Sequence, residues 1–193
     1  MAEMSTFGDR RTALADAVIR IASTRGLEQA SVREVANEAG VAIGTVQHYF
    51  STKDEMLSFA FTRIVDRTME RVTAVEPEPD VRVRLSRILR ELLPLDDVRR
   101  AEATVYLAFS ARAATSPALA EVQAETLKQI RGGFTKIFSD AGAPDPETDA
   151  LLVLGMVDGL GLGAVSAPGE TDKRALEKAL ETYLDRRFPT NQP

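Results

Sequence analysis

The sequence predicts an all-α protein of about nine helices, with a small N-terminal three-helix domain and a larger helical C-terminal one. Three observations carry this expectation. Apolar residues recur at spacings of three and four along nearly the whole chain, and nowhere do they alternate as a half-buried strand requires. Residues that start and stop helices divide that pattern at intervals. A chain of 193 residues, 44% of them hydrophobic, can also bury a real core in one or two domains.

Each element follows from local chemistry. Leu14, Val18, Ile21 and Ala22 give an amphipathic first helix that ends near Gly26. Ser31 followed by Glu34 is a capping box, in which each side chain satisfies a backbone donor of the first turn. Val32, Val35, Ala36 and Ala39 then bury one face of a second helix, and Gly40 suits the left-handed turn that closes it. A third pattern, Ala42 to Phe50, turns Val46 and Phe50 inward and leaves Thr45, Gln47, His48 and Tyr49 able to hydrogen-bond outward. Ser51 with Asp54 repeats the cap and opens a long helix to about Val75. Glu76-Pro77-Glu78-Pro79 ends it, because a residue before proline is driven out of the helical region. Further helices are expected over Val81–Leu93, Leu95–Thr115, Pro117–Ala141, Pro146–Ala167 and Thr171–Phe188. Pro117 follows the Ser116 cap as a first-turn proline, and Gly142–Pro146 forms a loop. No internal repeat is present.

Two helices joined at a glycine turn, the second presenting polar groups, form the arrangement that delivers a helix into the DNA major groove. Gln47 has no apolar-face role and can pair bidentately with adenine, which makes it the base reader of choice. Ile43 is placed to touch a thymine methyl. Lys53 opens a helix whose dipole prefers anions at that end, so a phosphate contact explains it better. Arg33 lies at the start of the first helix of the pair, where backbone contact is common. Tyr49 is divided evenly between a core aromatic and a phosphate contact. The expected DNA-contacting set is Ser31, Arg33, Ala42, Ile43, Gly44, Thr45, Gln47, His48, Tyr49 and Lys53.

Charge tempers this reading. The net charge is −5, and residues 1–75 hold nine Lys and Arg against ten Asp and Glu. Distribution must do what the total does not, with Arg10, Arg11, Arg33 and Lys53 as the local positive surface. An acidic remainder would suppress non-specific binding and leave affinity to dimerisation. With no cysteine and one histidine, disulfides, thiol catalysis and a protein-only zinc site are not expected, and no cofactor is implied. The opening MAEMSTFGDRR lacks the apolar centre of a secretory leader. Leu151–Val165, the most apolar stretch, is interrupted by Asp158 and glycines and is too short to span a bilayer. A soluble, cytoplasmic protein with no membrane partner is expected.

The stretch GVAIGTVQHYFSTKDEML resembles the recognition helix and following helix start of the TetR family of transcriptional repressors. Gly40, Val41, Gly44, Thr45, Val46, His48, Tyr49, Phe50 and Lys53 match that pattern position by position. Three positions depart from it. Ala42 stands where serine is frequent, Gln47 where tyrosine is common, and Ile43 is unusual. ELLPLDDVRRAEATVYLAFSARAATSPAL is similar to the ligand-binding domain of BetI-type TetR regulators, over roughly Leu92 to Phe138. The resemblance implies a DNA-binding domain at residues 1–52, a connecting helix at 53–75, and an effector-binding and dimerisation domain at 76–193. It names no effector.

Glu102, Tyr106, Phe109 and Ala113 share one helical face that mixes a carboxylate and a phenol into apolar surface. With Leu89, Leu93, Phe134 and Met156 as walls, Glu102, Tyr106 and Phe109 form the expected effector pocket, suited to a cationic or aromatic ligand. An ordinary core, with Glu102 reaching Arg99 or solvent, explains the same residues equally well. Leu151, Gly155, Gly159, Leu162 and Gly163, with Leu176, Leu180, Tyr183 and Leu184, predict a two-fold four-helix dimer interface. The glycines lie four apart and would let a second helix approach closely, or would loosen the helix for movement. The expected partners are double-stranded operator DNA, a small-molecule effector and a second copy of the chain, acting together as a ligand-released repressor. An activator of the same fold, or a helical partner-binding protein that does not read DNA, stays open. An enzyme is disfavoured, since no nucleophile, acid–base pair or metal cluster converges.

Overall fold

The helix signals map onto a computed structural model that describes residues 2–189, with side chains from residue 8 onward. Among the described residues are nine α-helices, one 3-10 turn at Leu27–Gln29 and no strand. The helices are α1 Ala2–Arg25, α2 Val32–Ala39, α3 Ile43–Tyr49, α4 Lys53–Thr73, α5 Val81–Leu92, α6 Asp97–Ala113, α7 Pro117–Asp140, α8 Pro146–Ser166 and α9 Lys173–Arg187.

Local rules set most of the ends. Ser31 Oγ accepts from the Glu34 N–H at 3.2 Å, while the Glu34 carboxylate turns instead to Arg25 at 3.1 Å, so half of the capping box forms. Gly40 takes φ 66° and ψ 34°, a left-handed conformation that a β-carbon would strain. The cap expected at Ser51 with Asp54 lies one residue later. Thr52 Oγ1 accepts from the Glu55 N–H at 3.0 Å, and the Glu55 carboxylate accepts from the Ser51 N–H at 2.8 Å. Both hydroxyls could cap; the one directly before the first helical residue does so.

The chain divides into two compact units that do not follow chain order. The first joins the described residues up to Arg67 with Thr104–Gln123; the second joins Thr68–Ala103 with those from Ala124 onward. The expected boundary near residue 76 differs because Val105, Phe109, Ala113 and Leu119 are buried with the N-terminal helices. The Phe109 ring stacks on Phe61 with centroids 4.0 Å apart. Helices α4, α6 and α7 therefore each supply residues to both units.

In the first unit Leu14, Val18, Val35, Val46 and Met56 are buried together. Arg20–Glu38 at 2.9 Å ties α1 to α2, and Arg67–Asp16 at 2.6 Å ties α4 to α1. In the second unit α5 lies along α9, burying Leu85 and Leu89 with Leu176, Leu180 and Leu184. Polar clamps border that seam. Glu181 accepts from Ser86 Oγ at 2.7 Å and pairs with Arg82 at 2.9 Å and Arg90 at 3.2 Å. Burial works to raise the Glu181 carboxyl, but the Ser86 and Arg90 hydrogen bonds and the two arginine charges outweigh it. The group is held below the ordinary glutamate range.

Helix α8 spans 21 residues, and by length and composition alone it could cross a membrane, which corrects the shorter estimate from its apolar centre. One side of it, Ala150, Val153, Val157 and Ala164, packs into the second core. The other side leaves Leu151, Leu152 and Leu162 at 53%, 60% and 54% exposure.

Candidate functional site

Helix α3 is anchored from within. Val46 and Phe50 are buried at 0% and 2% exposure, which fixes which side of this seven-residue helix faces out. Gln47 and His48 are exposed on that outward side with Gly44, while Thr45 is half-buried. The His48 ring meets Tyr49 edge-on at 5.3 Å, and Tyr49 packs against the first core. Ile43, at the start of the helix, is 46% exposed. Ala42 is its N-cap and supplies no side-chain acceptor, so the departure from serine removes a cap as well as a phosphate donor.

The four cations expected to give a positive surface behave differently. Arg33 and Arg10 are exposed and have no ion-pair partner among the described residues. Arg11 instead pairs with Glu55 at 3.2 Å and lies over the Phe59 ring at 4.2 Å, so it acts as packing. Lys53 Nζ donates to the Glu28 carbonyl at 3.2 Å and stands 3.8 Å from the Glu28 carboxylate. Ser31 Oγ accepts the α2 cap hydrogen bond, which uses a lone pair of the hydroxyl and not its O–H. The near-zero local charge is thus already largely paired, and the unpaired cations are what a phosphate could still recruit.

The expected effector residues belong to two different cores. Tyr106 and Phe109 stack on Phe61 in the first core, at 5.6 and 4.0 Å. Leu89, Leu93 and Phe134 belong to the second core, with Met156 packed against it. Glu102 is 5% exposed and reaches neither Arg99 nor solvent. Its Oε2 accepts from Arg71 Nη2 at 2.7 Å, and its Oε1 is buried without a hydrogen bond. Arg71 supplies a countercharge that it shares with Glu91, 3.3 Å away. A separate groove of about 720 Å³ opens within the second unit, walled by Met69, Val72, Ile88, Leu92, Ile130 and Phe134. Phe134 alone of the expected residues lines it. The pattern Ile130, Phe134, Ile137 on α7 carried that signal in the sequence, at spacings of four and three.

The dimer residues divide in the same way. Leu176, Leu180 and Leu184 are fully buried in their own chain, so the face they form is not open to a partner. Packing into the second core, not against a second subunit, explains their periodicity. Tyr183 is half-buried against the same core. Leu151, Leu162, Gly155 and Gly159 are exposed, and Gly163 is half-buried. A β-carbon built on Gly155 or Gly159 meets no atom within 4 Å; on Gly163 it meets Thr171 Oγ1 at 3.5 Å.

Residues 14–58 match the family model of bacterial regulatory proteins of the tetR family, and residues 81–189 match the C-terminal domain of BetI-type transcriptional repressors. The chain is 26% identical over 181 residues to the HTH-type transcriptional regulator PksA of Bacillus subtilis, covering 91% of this chain and 88% of that one. Its fold superposes on a transcriptional regulator from Rhodococcus sp. Rha1 with a TM-score of 0.88 and 46% identity, covering 91% and 94% of the two chains. The multidrug binding protein EbrR, solved with imidazole, gives a TM-score of 0.66 at 29% identity, over 91% and 94%.

Proposed function

The chain belongs to the TetR family of transcriptional regulators, and from that membership we propose that it is a cytoplasmic homodimeric repressor that releases its operator when a small molecule fills the second-unit groove. It is a DNA-binding regulator rather than an enzyme. The outward face of α3 carries the DNA half of the proposal. Gln47 reads a base, Ile43 contacts a thymine methyl, and Gly44, Thr45, His48 and Tyr49 lie against the backbone with Arg33 and Lys53. Binding selection from a random duplex pool, repeated with Gln47→Ala, tests this. Retention of the same preferred sequence by the variant would remove Gln47 as a reader.

The dimer half rests on α8. Its apolar face, Leu151, Leu152 and Leu162, is exposed around Gly155 and Gly159, whose lack of a side chain nothing in their own chain requires. A second copy of α8 crossing there buries the leucines and uses the bare stripe for close approach. Two α3 helices would then meet a near-palindromic operator about 34–36 Å apart, one helical turn.

The effector half rests on the groove. Its size lies within the roughly 300–1,000 Å³ of small-molecule sites, and its walls are apolar. Of its rim charges, Glu78 pairs with Arg87 at 3.3 Å and Lys136 with Asp140 at 3.1 Å, leaving Arg84 without an ion pair among the described residues. An apolar compound carrying one anionic group fits that surplus. A ligand can shift the spacing of the reading helices only by binding one arrangement better than the other. Gly133→Leu, on the groove wall, projects a side chain into the groove from a position where an added β-carbon meets nothing within 4 Å. It should abolish ligand release and leave DNA binding intact; release that persists would move the effector elsewhere.

A further inference from the structure

Glu28 sits in the 3-10 turn between α1 and α2, and it is shared by two cations from distant parts of the first unit. Its Oε1 accepts from Arg112 Nη1 at 3.0 Å. Its Oε2 lies 3.8 Å from Lys53 Nζ, and its backbone carbonyl accepts from the same ammonium at 3.2 Å. Arg112 also reaches Asp54, the neighbour of Lys53, at 3.5 Å, and Ser116 Oγ donates to the other oxygen of Asp54 at 3.2 Å. The end of α6 and the residue before α7 thus hold Glu28 and Asp54, the acidic partner and the acidic chain neighbour of the one lysine expected to contact phosphate.

An ammonium has a single positive charge to divide. While a carboxylate stands beside Lys53, the gain from neutralising a phosphate is reduced by the interaction given up. Arg112 draws the Glu28 carboxylate the other way. We infer that Glu28 is a positioning residue for operator binding: its carboxylate restrains Lys53, and Arg112 sets how strongly by competing for it. This rests on Lys53 being a phosphate contact.

The consequence for regulation is geometric. Helix α6 contributes Glu102 to the second unit and Arg112 to the first. A shift of α6 that withdraws Arg112 hands the whole carboxylate to Lys53 and weakens DNA binding. No change in α3 is needed.

The test is a double-mutant cycle in the full-length protein, measured by fluorescence anisotropy on a duplex recovered from random-pool selection, over a range of salt. Lys53→Met should weaken binding and make the salt slope shallower by about 0.9 per phosphate that the ammonium neutralises. Glu28→Gln should tighten binding at low salt by about two- to fivefold, the range of an exposed ion pair, and should have no effect when Lys53 is already Met. Arg112→Met should weaken binding when Glu28 is present and not when it is Gln, with melting temperature reporting that the fold is kept. Equal tightening by Glu28→Gln with and without Lys53 would mean plain repulsion from DNA and overturn the inference, as would weaker binding by Glu28→Gln alone. If Lys53→Met leaves affinity and slope unchanged, the phosphate reading itself falls, and this inference with it.

Discussion

Replacing Gly159 by alanine separates the two explanations of the α8 glycines. In the middle of a helix alanine is favoured over glycine by about 1 kcal/mol. A β-carbon at Gly159 meets no atom within 4 Å of its own chain, so nothing there opposes that gain. If α8 faces only solvent, Gly159→Ala should therefore raise the melting temperature by about 2–4 °C, and Gly155→Ala should add a similar amount. If a second α8 crosses the stripe, each added methyl forces the helices apart. Overpacking of that kind costs about 1–3 kcal/mol, and a two-fold interface incurs it twice for each substitution. Gly159→Ala should then raise the dimer dissociation constant by at least about tenfold, since each 1.4 kcal/mol is a factor of ten. Sedimentation equilibrium from nanomolar to micromolar concentration reads the constant, and thermal unfolding at several concentrations reads the coupled stability. A stabilised protein whose association is unchanged or tighter would refute the stripe as a contact between copies.

Other expectations are simpler to check. Phe109→Ala should cost about 3–5 kcal/mol in thermal or urea unfolding, because it removes a fully buried ring stacked on Phe61. Gln47→Ala should lose about 1–3 kcal/mol of discrimination at one position of each half-site, read by competition between matched and single-substituted duplexes, while affinity for non-specific DNA stays the same. The Glu181 carboxyl is held below its ordinary range in the fold, so its contribution is complete above the unfolded value and is lost as the pH falls through the folded one. Glu181→Gln should accordingly flatten the acid limb of stability against pH measured by circular dichroism; an unchanged acid limb would remove the α5–α9 clamp as its cause.

Residues whose structure depends on their immediate neighbours were legible before any fold was known. Ser31 caps α2 because a hydroxyl one residue before a helix reaches a free N–H, and the left-handed turn that closes α2 takes Gly40 because a β-carbon would be strained there. Val46 and Phe50 point inward because residues four apart share a helix face, and this alone sends Gln47 and His48 outward. The cap at Thr52 instead of Ser51 shows the limit of that logic: two adjacent hydroxyls are equally able, and one turn of backbone chooses.

The family pattern over Gly40 to Lys53 and the helical periodicity determined fold class and a DNA-reading surface, since both depend on spacing within a few residues. Periodicity says that a face is buried without saying against what. Leu176, Leu180 and Leu184 make a correct stripe that turns into their own core, and Leu151 and Leu162 make one that stays open. Glu102 reads as a ligand carboxylate, and the fold sets Arg71, 31 residues earlier, against it. Phe109 reads as part of the C-terminal domain, yet its ring completes the N-terminal core on Phe61. Lys53 reads as a free cation, and the fold sets it beside Glu28. Each of these outcomes is a pairing between segments far apart in the chain. Burial and charge compensation depend on what stands opposite, and only tertiary structure decides that.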